Sequence, residues 1–147
     1  MKKYSILFCI ALALTSIVAI AAPDDDYVIP FEQLPTVSQN FVKTNFDVAT
    51  VAYCMRDAHS YEVRFSDASE IEFDHAGNWE EIDCKYKAVP ESVIKLIPAS
   101  VPAYVQTNFP SSLITKVKVK AWGYELELNT GLELEFNRKG GFLRIDD

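Results

Sequence analysis

The second half of this 147-residue sequence repeats the first half at a constant spacing of 63 residues. Residues 34–84 align with residues 97–147 without a gap. About 14 of the paired positions are identical, where unrelated sequences would share roughly 3. The longest shared motif, Val-x-Thr-Asn-Phe, occurs at 42–46 and again at 105–109. A repeat of this length predicts two copies of one supersecondary unit.

Each copy begins with apolar residues at helical spacing and continues with alternating apolar and charged residues. In the first copy the helical spacing covers residues 35–46. In the second copy Pro90 and Pro98 divide it into a helix, a turn and a second helix that ends before Pro110. The alternation that follows, as at 116–120, predicts antiparallel strands with one buried side and one solvent-facing side.

These patterns predict an α+β fold of two tandem repeats, each a helical segment plus a four-stranded antiparallel meander, forming a sheet with helices on one face. The first repeat is expected at 34–87 and the second at 88–147, after a lead-in at 22–33. The predicted strands are 50–56, 61–66, 70–74 and 78–83, then 116–120, 124–128, 132–136 and 141–146. The predicted core residues are Phe41, Phe46, Phe65, Phe73, Leu126, Leu128, Leu134 and Phe136.

The first 21 residues have the features of a secretory signal peptide. Lys2 and Lys3 precede an apolar run at 6–20 that is too short for a membrane span. Residues 19–21 (Ala-Ile-Ala) form a cleavage site, so the mature chain is predicted to begin directly after them. A lipid anchor at Cys9 and an uncleaved anchor helix are the alternatives. The sequence therefore predicts export to the periplasm or the extracellular space, with no membrane span in the mature chain.

An excess of acidic side chains restricts the kind of partner. The chain has 14 basic and 21 acidic residues, a formal net charge of −7, and loss of Lys2 and Lys3 with the signal peptide would leave −9. Such a surface disfavours nucleic acid and anionic lipid. The sequence has no basic patch with interleaved aromatic residues, so we expect no nucleic-acid partner.

Two cysteines, Cys54 and Cys84, remain after the predicted cleavage. An oxidising compartment would allow them to pair. However, they fall in the first and fourth strands of one predicted meander, roughly 14 Å apart. A disulfide needs Cα atoms within about 7 Å of each other. We therefore predict that both thiols stay unpaired within the chain.

The sequence has no pattern typical of catalysis or of metal binding. Its only histidines, His59 and His75, fall in predicted turns, and no Gly-x-Ser-x-Gly motif is present. The two cysteines lack metal-ligand spacing. No EF-hand loop accompanies the acidic stretches at 24–26 and 70–74, which we interpret as solvated acidic groups. We therefore predict a protein that is not an enzyme and that uses no cofactor and no metal.

One group of residues differs between the two copies and is our candidate for a partner-binding surface. The first copy has Tyr53, Met55, Arg64 and Trp79 at outward positions whose counterparts in the second copy are mostly charged, namely Lys116, Lys118, Glu127 and Phe142. Aromatic residues, Met and Arg are enriched in protein interfaces. We predict that these four side chains lie together on the open face of the sheet. In the alternative, a bulge after Gly77 turns Trp79 into the core, and Tyr53 packs under a loop.

The motifs of both copies resemble those of a known family. Each copy has an aromatic-Glu strand, a strand ending Glu-x-Phe, an Asp/Asn-x-x-Gly turn, an aromatic residue and a final Ile-Asp. The first copy has them at Tyr61-Glu62, 70–73, 74–77, Trp79 and Ile82-Asp83, and the second at Tyr124-Glu125, 133–136, 137–140, Phe142 and Ile145-Asp146. In this the chain is similar to the PepSY-like proteins of Bacteroidetes envelopes, whose fold is similar to that of the β-lactamase inhibitory protein. The resemblance covers nearly all of the mature chain and implies an eight-stranded sheet and a binding role.

The expected function is therefore that of an exported, non-catalytic module that binds an unknown protein partner. The resemblance suggests that it inhibits or regulates an envelope or secreted enzyme, but it does not identify that enzyme. The alternative is a periplasmic protein for a small or metal-bound ligand. This alternative would need a concave apolar pocket with convergent polar groups.

Overall fold

Nine antiparallel strands form one open sheet in the computed structural model, which describes residues 26–146. The strands lie in the sheet in their order along the chain, so each pairs with its neighbours in sequence. They are β1 (Tyr27–Ile29), β2 (Val51–Arg56), β3 (Ser60–Phe65), β4 (Glu70–Asp74), β5 (Trp79–Asp83), β6 (Ile114–Lys120), β7 (Gly123–Leu128), β8 (Glu133–Asn137) and β9 (Phe142–Asp146). The predicted signal peptide lies outside the described residues.

Three α-helices lie in two of the connections. Helix α1 (Thr36–Asn45) precedes β2, and α2 (Glu91–Ile94) and α3 (Ser100–Asn108) connect β5 to β6. Pro35 and Pro90 stand at the N-caps of α1 and α2, where the fixed φ of proline suits a helix start and its missing N–H costs nothing. None of the helices between residues 26 and 146 is long and apolar enough to cross a membrane.

The helices pack on one face of the sheet and enclose the core. Val42 of α1 and Val101 of α3 are fully buried together with strand residues such as Val63 and Leu126. Of the eight predicted core residues, six are buried, and Phe41 and Phe46 are partly buried against them. Aromatic contacts continue the packing, because the Phe41 ring meets Phe73 edge-on at 5.8 Å and the Tyr104 ring meets Phe136 edge-on at 5.5 Å.

The predicted fold class, a pair of tandem helix-plus-four-strand repeats, is wrong because the sheet is one continuous nine-stranded structure with few helices. β5 pairs directly with β6, with Ile82 opposite Val117 and Glu81 opposite Lys118. β1, from the predicted lead-in, adds a ninth strand beside β2, so the eight strands implied by the resemblance are also too few. The physical reason is that an unpaired edge between the two halves would expose backbone N–H and C=O groups, whereas direct pairing of β5 with β6 satisfies them.

Two hairpin turns are tied to the helices in the same way. Ser38 Oγ of α1 donates a 2.9 Å hydrogen bond to the Gly77 carbonyl, and Ser100 Oγ of α3 donates one of 2.9 Å to the Gly140 carbonyl. Both glycines have positive φ, +91° and +84°. A Cβ on Gly77 would lie 2.7 Å from Pro35 Cβ, and one on Gly140 would collide with Ser100 Oγ. Only glycine therefore fits at these turns.

Cys54 and Cys84 are free, as predicted, and both are buried. Cys54 lies on β2 and Cys84 directly follows β5, so three strand spacings separate them in the sheet. Burial raises the pKa of each thiol to about 11, because the thiolate would lose its hydration. Both side chains are therefore inert packing residues at neutral pH.

Candidate partner-binding face

The face of the sheet that points away from the helices, called the open face below, is built from the strand positions that the core does not use. Cross-strand register arranges its central side chains in two rows. The first row is Tyr53, Arg64, Glu70, Asp83, Lys116, Glu127, Glu133 and Asp146, and the second is Met55, Glu62, Glu72, Glu81, Lys118, Glu125, Glu135 and Arg144. All of these residues are charged except Tyr53 and Met55, which lie together at the β2 end.

Tyr53 and Arg64 face each other across β2 and β3. The Arg64 guanidinium lies 6.0 Å from the centroid of the Tyr53 ring, and its Nη2 is 2.7 Å from Glu62 and 2.6 Å from Glu70. The hydrogen bond from Arg64 Nε to Glu62, 2.8 Å long, raises the pKa of Arg64 further above its usual range. The cation is thus held on both sides by carboxylates while the Tyr53 side chain stays 38% exposed.

Met55 extends the apolar part of the open face towards the sheet edge. It lies opposite Glu62 on one side and opposite Val28 of β1 on the other, and Val28 is exposed. Met55 also borders a polar recess of about 220 Å³ with Ser60 and Glu72. The structure therefore brings three of the four predicted residues, Tyr53, Met55 and Arg64, to one place.

A cleft of about 510 Å³ opens beside this group, at the free edge of β2. β1 pairs only with residues 54–56, so in the described chain the first half of β2 has no strand on that side. Val28, Phe31, Val51 and Tyr53 contribute to its largely apolar wall. A cleft of this size and polarity suits an apolar side chain.

Trp79 does not lie on the open face, and the prediction that placed it there is wrong. A register shift between Glu72 and Phe73 brings Trp79 opposite buried Phe73. The Trp79 ring then points towards the helices and stacks on Phe41 of α1, with 5.9 Å between centroids and an interplanar angle of 25°. This arrangement is the bulge that the sequence analysis gave as the alternative.

Glu81 occupies the centre of the open face, between β4 and β6. Its side chain is buried, with the residue only 6% exposed, and it lies 2.5 Å from Lys118 Nζ and 3.2 Å from Lys116 Nζ. Burial alone would raise the pKa of Glu81, but the hydrogen bonds and charges of the two lysines outweigh it and hold the pKa below its usual value. The cluster of Glu81, Lys116 and Lys118 joins β5 to β6 by ion pairs. It was not predicted from the sequence.

Glu72 lies directly between two other carboxylates, Glu62 on β3 and Glu81 on β5. Desolvation, followed by the negative charge of Glu81, raises the pKa of Glu72 above its ordinary value. Like charges directly opposite each other destabilise a sheet. The alternation in the sequence marks these residues as outward, but only the register shows that the three carboxylates form a line.

The residues between 26 and 146 contain no group of three or more His, Cys, Asp or Glu side chains that could hold a metal ion. In the same range every buried side-chain nitrogen or oxygen has a hydrogen-bond partner. His59 and His75 lie in the loops that follow β2 and β4. No buried polar side chain in this part of the chain is therefore left without a partner and available to a ligand.

The chain is thus a helix-backed antiparallel sheet with an open charged face. Residues 59–144 match the family described as "Putative beta-lactamase-inhibitor-like, PepSY-like", and the chain belongs to this PepSY-like family. No curated protein matches the chain.

Three crystal structures of Bacteroides proteins are similar to this chain. A "putative calcium-regulated periplasmic protein" of Bacteroides thetaiotaomicron is 38% identical, with a TM-score of 0.76 over 84% of this chain and 98% of that one. A "putative periplasmic protein from DUF2874 family" of Bacteroides vulgatus is 35% identical, with a TM-score of 0.76 over 85% and 99%. A second B. vulgatus "putative periplasmic protein of unknown function" is 35% identical, with a TM-score of 0.75 over 84% and 100%. These descriptions support a periplasmic location for this chain.

Proposed function

We propose that the protein is an exported, non-catalytic module that binds a protein partner through its open face, with Tyr53, Met55 and Arg64 at the centre of the contact. The observation that carries this proposal is the position of Tyr53. Its side chain is 38% exposed on a face whose other central positions, apart from Met55, are charged. Tyr and Arg are the residue types that, with Trp, most often dominate the binding energy of interfaces.

The fixed conformation of the Arg64 side chain supports the proposal. Arg64 is held by Glu62 and Glu70 before any partner arrives, so binding would cost little side-chain entropy there. The 510 Å³ cleft at the β2 edge offers an apolar recess next to Tyr53, and charged side chains of β3 and β4 lie on the other side of Tyr53. An apolar centre within a polar rim is the usual composition of a protein interface.

Inhibition or regulation of an envelope or secreted enzyme is the role that the family description favours. A binding protein of this kind covers a surface of the enzyme and needs no catalytic group of its own. Export is supported by the signal-peptide features at 1–21 and by the periplasmic descriptions of similar proteins. Intact-mass measurement of the exported protein tests the cleavage after Ala21.

The experiment that tests the binding face compares two tyrosine truncations. The protein and its Tyr53→Ala variant are used to capture partners from envelope extract, and a partner that only the unmodified protein retains is purified for calorimetric titration. We expect Tyr53→Ala to weaken binding by about 2 kcal/mol, about 30-fold. The control is Tyr86→Ala, the same truncation at a residue 94% exposed in the turn after β5. Equal affinities of both variants for the partner would contradict the proposal.

The alternative function, binding of a small or metal-bound ligand, has less support. The 510 Å³ cleft is largely apolar and lacks the convergent polar groups that fix a small ligand. Calcium regulation is a description of the B. thetaiotaomicron protein. Thermal melting of this protein with and without calcium chloride tests the point here, and a calcium-dependent rise in Tm would favour the alternative.

A further inference from the structure

β9 is an edge strand that nothing in the described chain covers. It is the last strand of the sheet, and its outer backbone groups have no partner strand within residues 26–146. Three of its five residues, Phe142, Leu143 and Ile145, are apolar and 38%, 51% and 43% exposed. Proteins often protect such an edge with Pro, Lys, other charged side chains or a bulge; β9 has Arg144, Asp146 and a register shift against β8, but it has no Pro or Lys. This edge is therefore open to pairing with another strand.

The opposite edge of the sheet is different. β1 has only three residues and is followed directly by Pro30, which has no N–H to donate. β1 and β9 also run in the same direction, because an antiparallel sheet of nine strands has parallel edges. Translational stacking of copies would pair β9 with β1 in parallel, which is the less stable arrangement. Growth of a filament through the two edges is thus disfavoured.

β9 is complementary to itself in one antiparallel register. Arg144 and Asp146 lie opposite Glu135 and Glu133 on the open face, and Ile145 between them lies opposite core Leu134. When two β9 strands pair about a two-fold axis at Ile145, Arg144 of each copy faces Asp146 of the other, and the two Ile145 side chains meet on the helix side. Moving the axis by one residue to Arg144 would place two arginines opposite each other, which is destabilising. Registers that would pair an open-face residue of one copy with a helix-side residue of the other are not allowed by the alternation of side chains in a sheet.

We propose that the protein forms a symmetric homodimer in which the two β9 strands pair antiparallel about Ile145 and join the two sheets into one. The occupant of the free edge is a second copy of the chain. Arg144, now 2.9 Å from Glu135 and 3.2 Å from Asp146 of its own chain, gains a second carboxylate across the axis. The two-fold axis closes the assembly and leaves only the short β1 strands as edges. A single strand pair buries little area, so the dimer is weak and depends on concentration.

Sedimentation velocity of the purified protein from micromolar to near-millimolar concentration tests this interface through its charges. Arg144→Asp and Asp146→Arg, made separately, each place like charges across the axis and are expected to weaken dimerisation about tenfold. The double variant Arg144→Asp/Asp146→Arg restores opposite charges and is expected to dimerise as the unmodified protein does. Lys95→Asp, the same change in net charge as Arg144→Asp at an exposed residue directly after α2, serves as the control and should leave the association unchanged.

Cross-linking tests the register independently. In an antiparallel pair, residues on the axis have Cα atoms about 4.5–5.5 Å apart, within the range of a disulfide. Ile145→Cys is therefore expected to form a disulfide-linked dimer under mild oxidation. Leu143→Cys, two residues from the axis in each chain and thus roughly 13 Å from its mate, should not. Background from the two described cysteines is low because both are buried.

A monomer at every concentration overturns the proposal. The proposal is also overturned if the single charge changes leave dimerisation unaffected, or if the double variant fails to restore it. Equal cross-linking of Ile145→Cys and Leu143→Cys would overturn it as well. None of these outcomes bears on Tyr53, Met55 and Arg64, because β9 lies at the opposite end of the sheet from β2 and β3.

Discussion

At the scale of single residues, two aromatic side chains of the first half of the chain have opposite surroundings. Tyr53 lies on the open face beneath the Arg64 guanidinium. Trp79 stacks on Phe41 between the sheet and α1. Both are partly exposed, so exposure alone does not separate a binding residue from a packing residue. The two residues differ in what they contact, because Trp79 packs against α1 and Tyr53 contacts Arg64 of β3 on the open face.

Truncation of these two residues should affect stability very differently. Trp79→Ala is expected to lower the free energy of unfolding by about 3 kcal/mol, because it leaves a cavity under α1. Tyr53→Ala is expected to lower it by less than about 1 kcal/mol, since its ring fills no core space. Urea unfolding at neutral pH measures both values. Similar losses for the two variants would show that Tyr53 also supports the fold.

Glu72 provides a pH-dependent prediction. Its pKa is raised in the folded protein, so its charged form destabilises the fold above that pKa, and the penalty disappears as pH falls towards the ordinary value of 4.5. Glu72→Gln removes the penalty and is expected to stabilise the protein slightly at pH 7, because Glu72 is exposed and water screens its charge. The gain should vanish near pH 4. Chemical unfolding of both proteins across this pH range measures the effect, and a gain that persists at low pH would rule out the electrostatic cause.

The sequence allowed Tyr53, Met55 and Arg64 to be assigned to the outward face, because strict alternation decides the side of each residue. It could not assign Trp79 correctly. The register shift after Glu72 reverses the side on which Trp79 lies, and the turn before it is held by Ser38 of α1, a residue 39 positions away from Gly77. Such a contact over a long stretch of chain leaves no trace in local alternation.

At the scale of secondary-structure elements, the turn that connects β4 and β5 depends on how closely α1 approaches it. Gly77 and Gly131 both have positive φ, +91° and +87°, but only Gly77 has neighbours that a methyl group would meet. Gly131→Ala is therefore expected to cost about 1 kcal/mol for the backbone conformation alone. Gly77→Ala should cost about 3 kcal/mol, because Pro35 and Ser38 must also move. Thermal and urea unfolding of the two variants measures the difference in their free energies of unfolding. Equal losses would mean that α1 can move away from residue 77 at no cost in stability.

The junction between β5 and β6 provides a second prediction for an element. The double change Lys116→Met/Lys118→Met leaves Glu81 buried without a counter-charge and is expected to cost about 3 kcal/mol at pH 7. Glu81→Gln should cost less, because both lysines are partly exposed and can turn to water. The lysines lower the pKa of Glu81, so the stability they contribute is present above the ordinary pKa of 4.5 and is lost as pH falls through the folded pKa.

Urea unfolding at pH 7 and at acidic pH measures both parts of this prediction. The double variant should approach the unmodified protein in stability as Glu81 becomes protonated. If Glu81→Gln were the more damaging change, the desolvation argument would be wrong.

Much of the strand layout could be predicted from alternation, since β2 to β9 begin and end within two residues of the expected positions. Alternation does not reveal which strands pair, so the direct contact of β5 with β6 required the structure. β1 was missed because Tyr27, Val28 and Ile29 are all apolar and show no alternation. Their pairing with β2 depends on tertiary context rather than on local sequence.

At the scale of the whole molecule, the sheet divides the charges and the apolar groups between two sides. The core lies under the helices, and the open face carries most of the ion pairs, many of them between neighbouring strands. A surface of this kind remains hydrated and keeps the isolated protein in solution. Exposed apolar side chains lie at both sheet edges, among them Val28 beside Met55, and Phe142, Leu143 and Ile145 of β9.

The order of the strands along the chain also determines how the molecule opens. Each strand is held by its two neighbours, and the end strands by one, so partial unfolding should proceed inwards from the edges. Amide hydrogen exchange followed by mass spectrometry is expected to show the slowest exchange in β4 to β7 and the fastest in β1 and β9. Uniform protection across the sheet would indicate one all-or-none unit. Slower exchange in β9 alone at high protein concentration would show that a second chain pairs with this strand. Because the edge strands exchange fastest, their exchange rates reveal directly when another chain binds there.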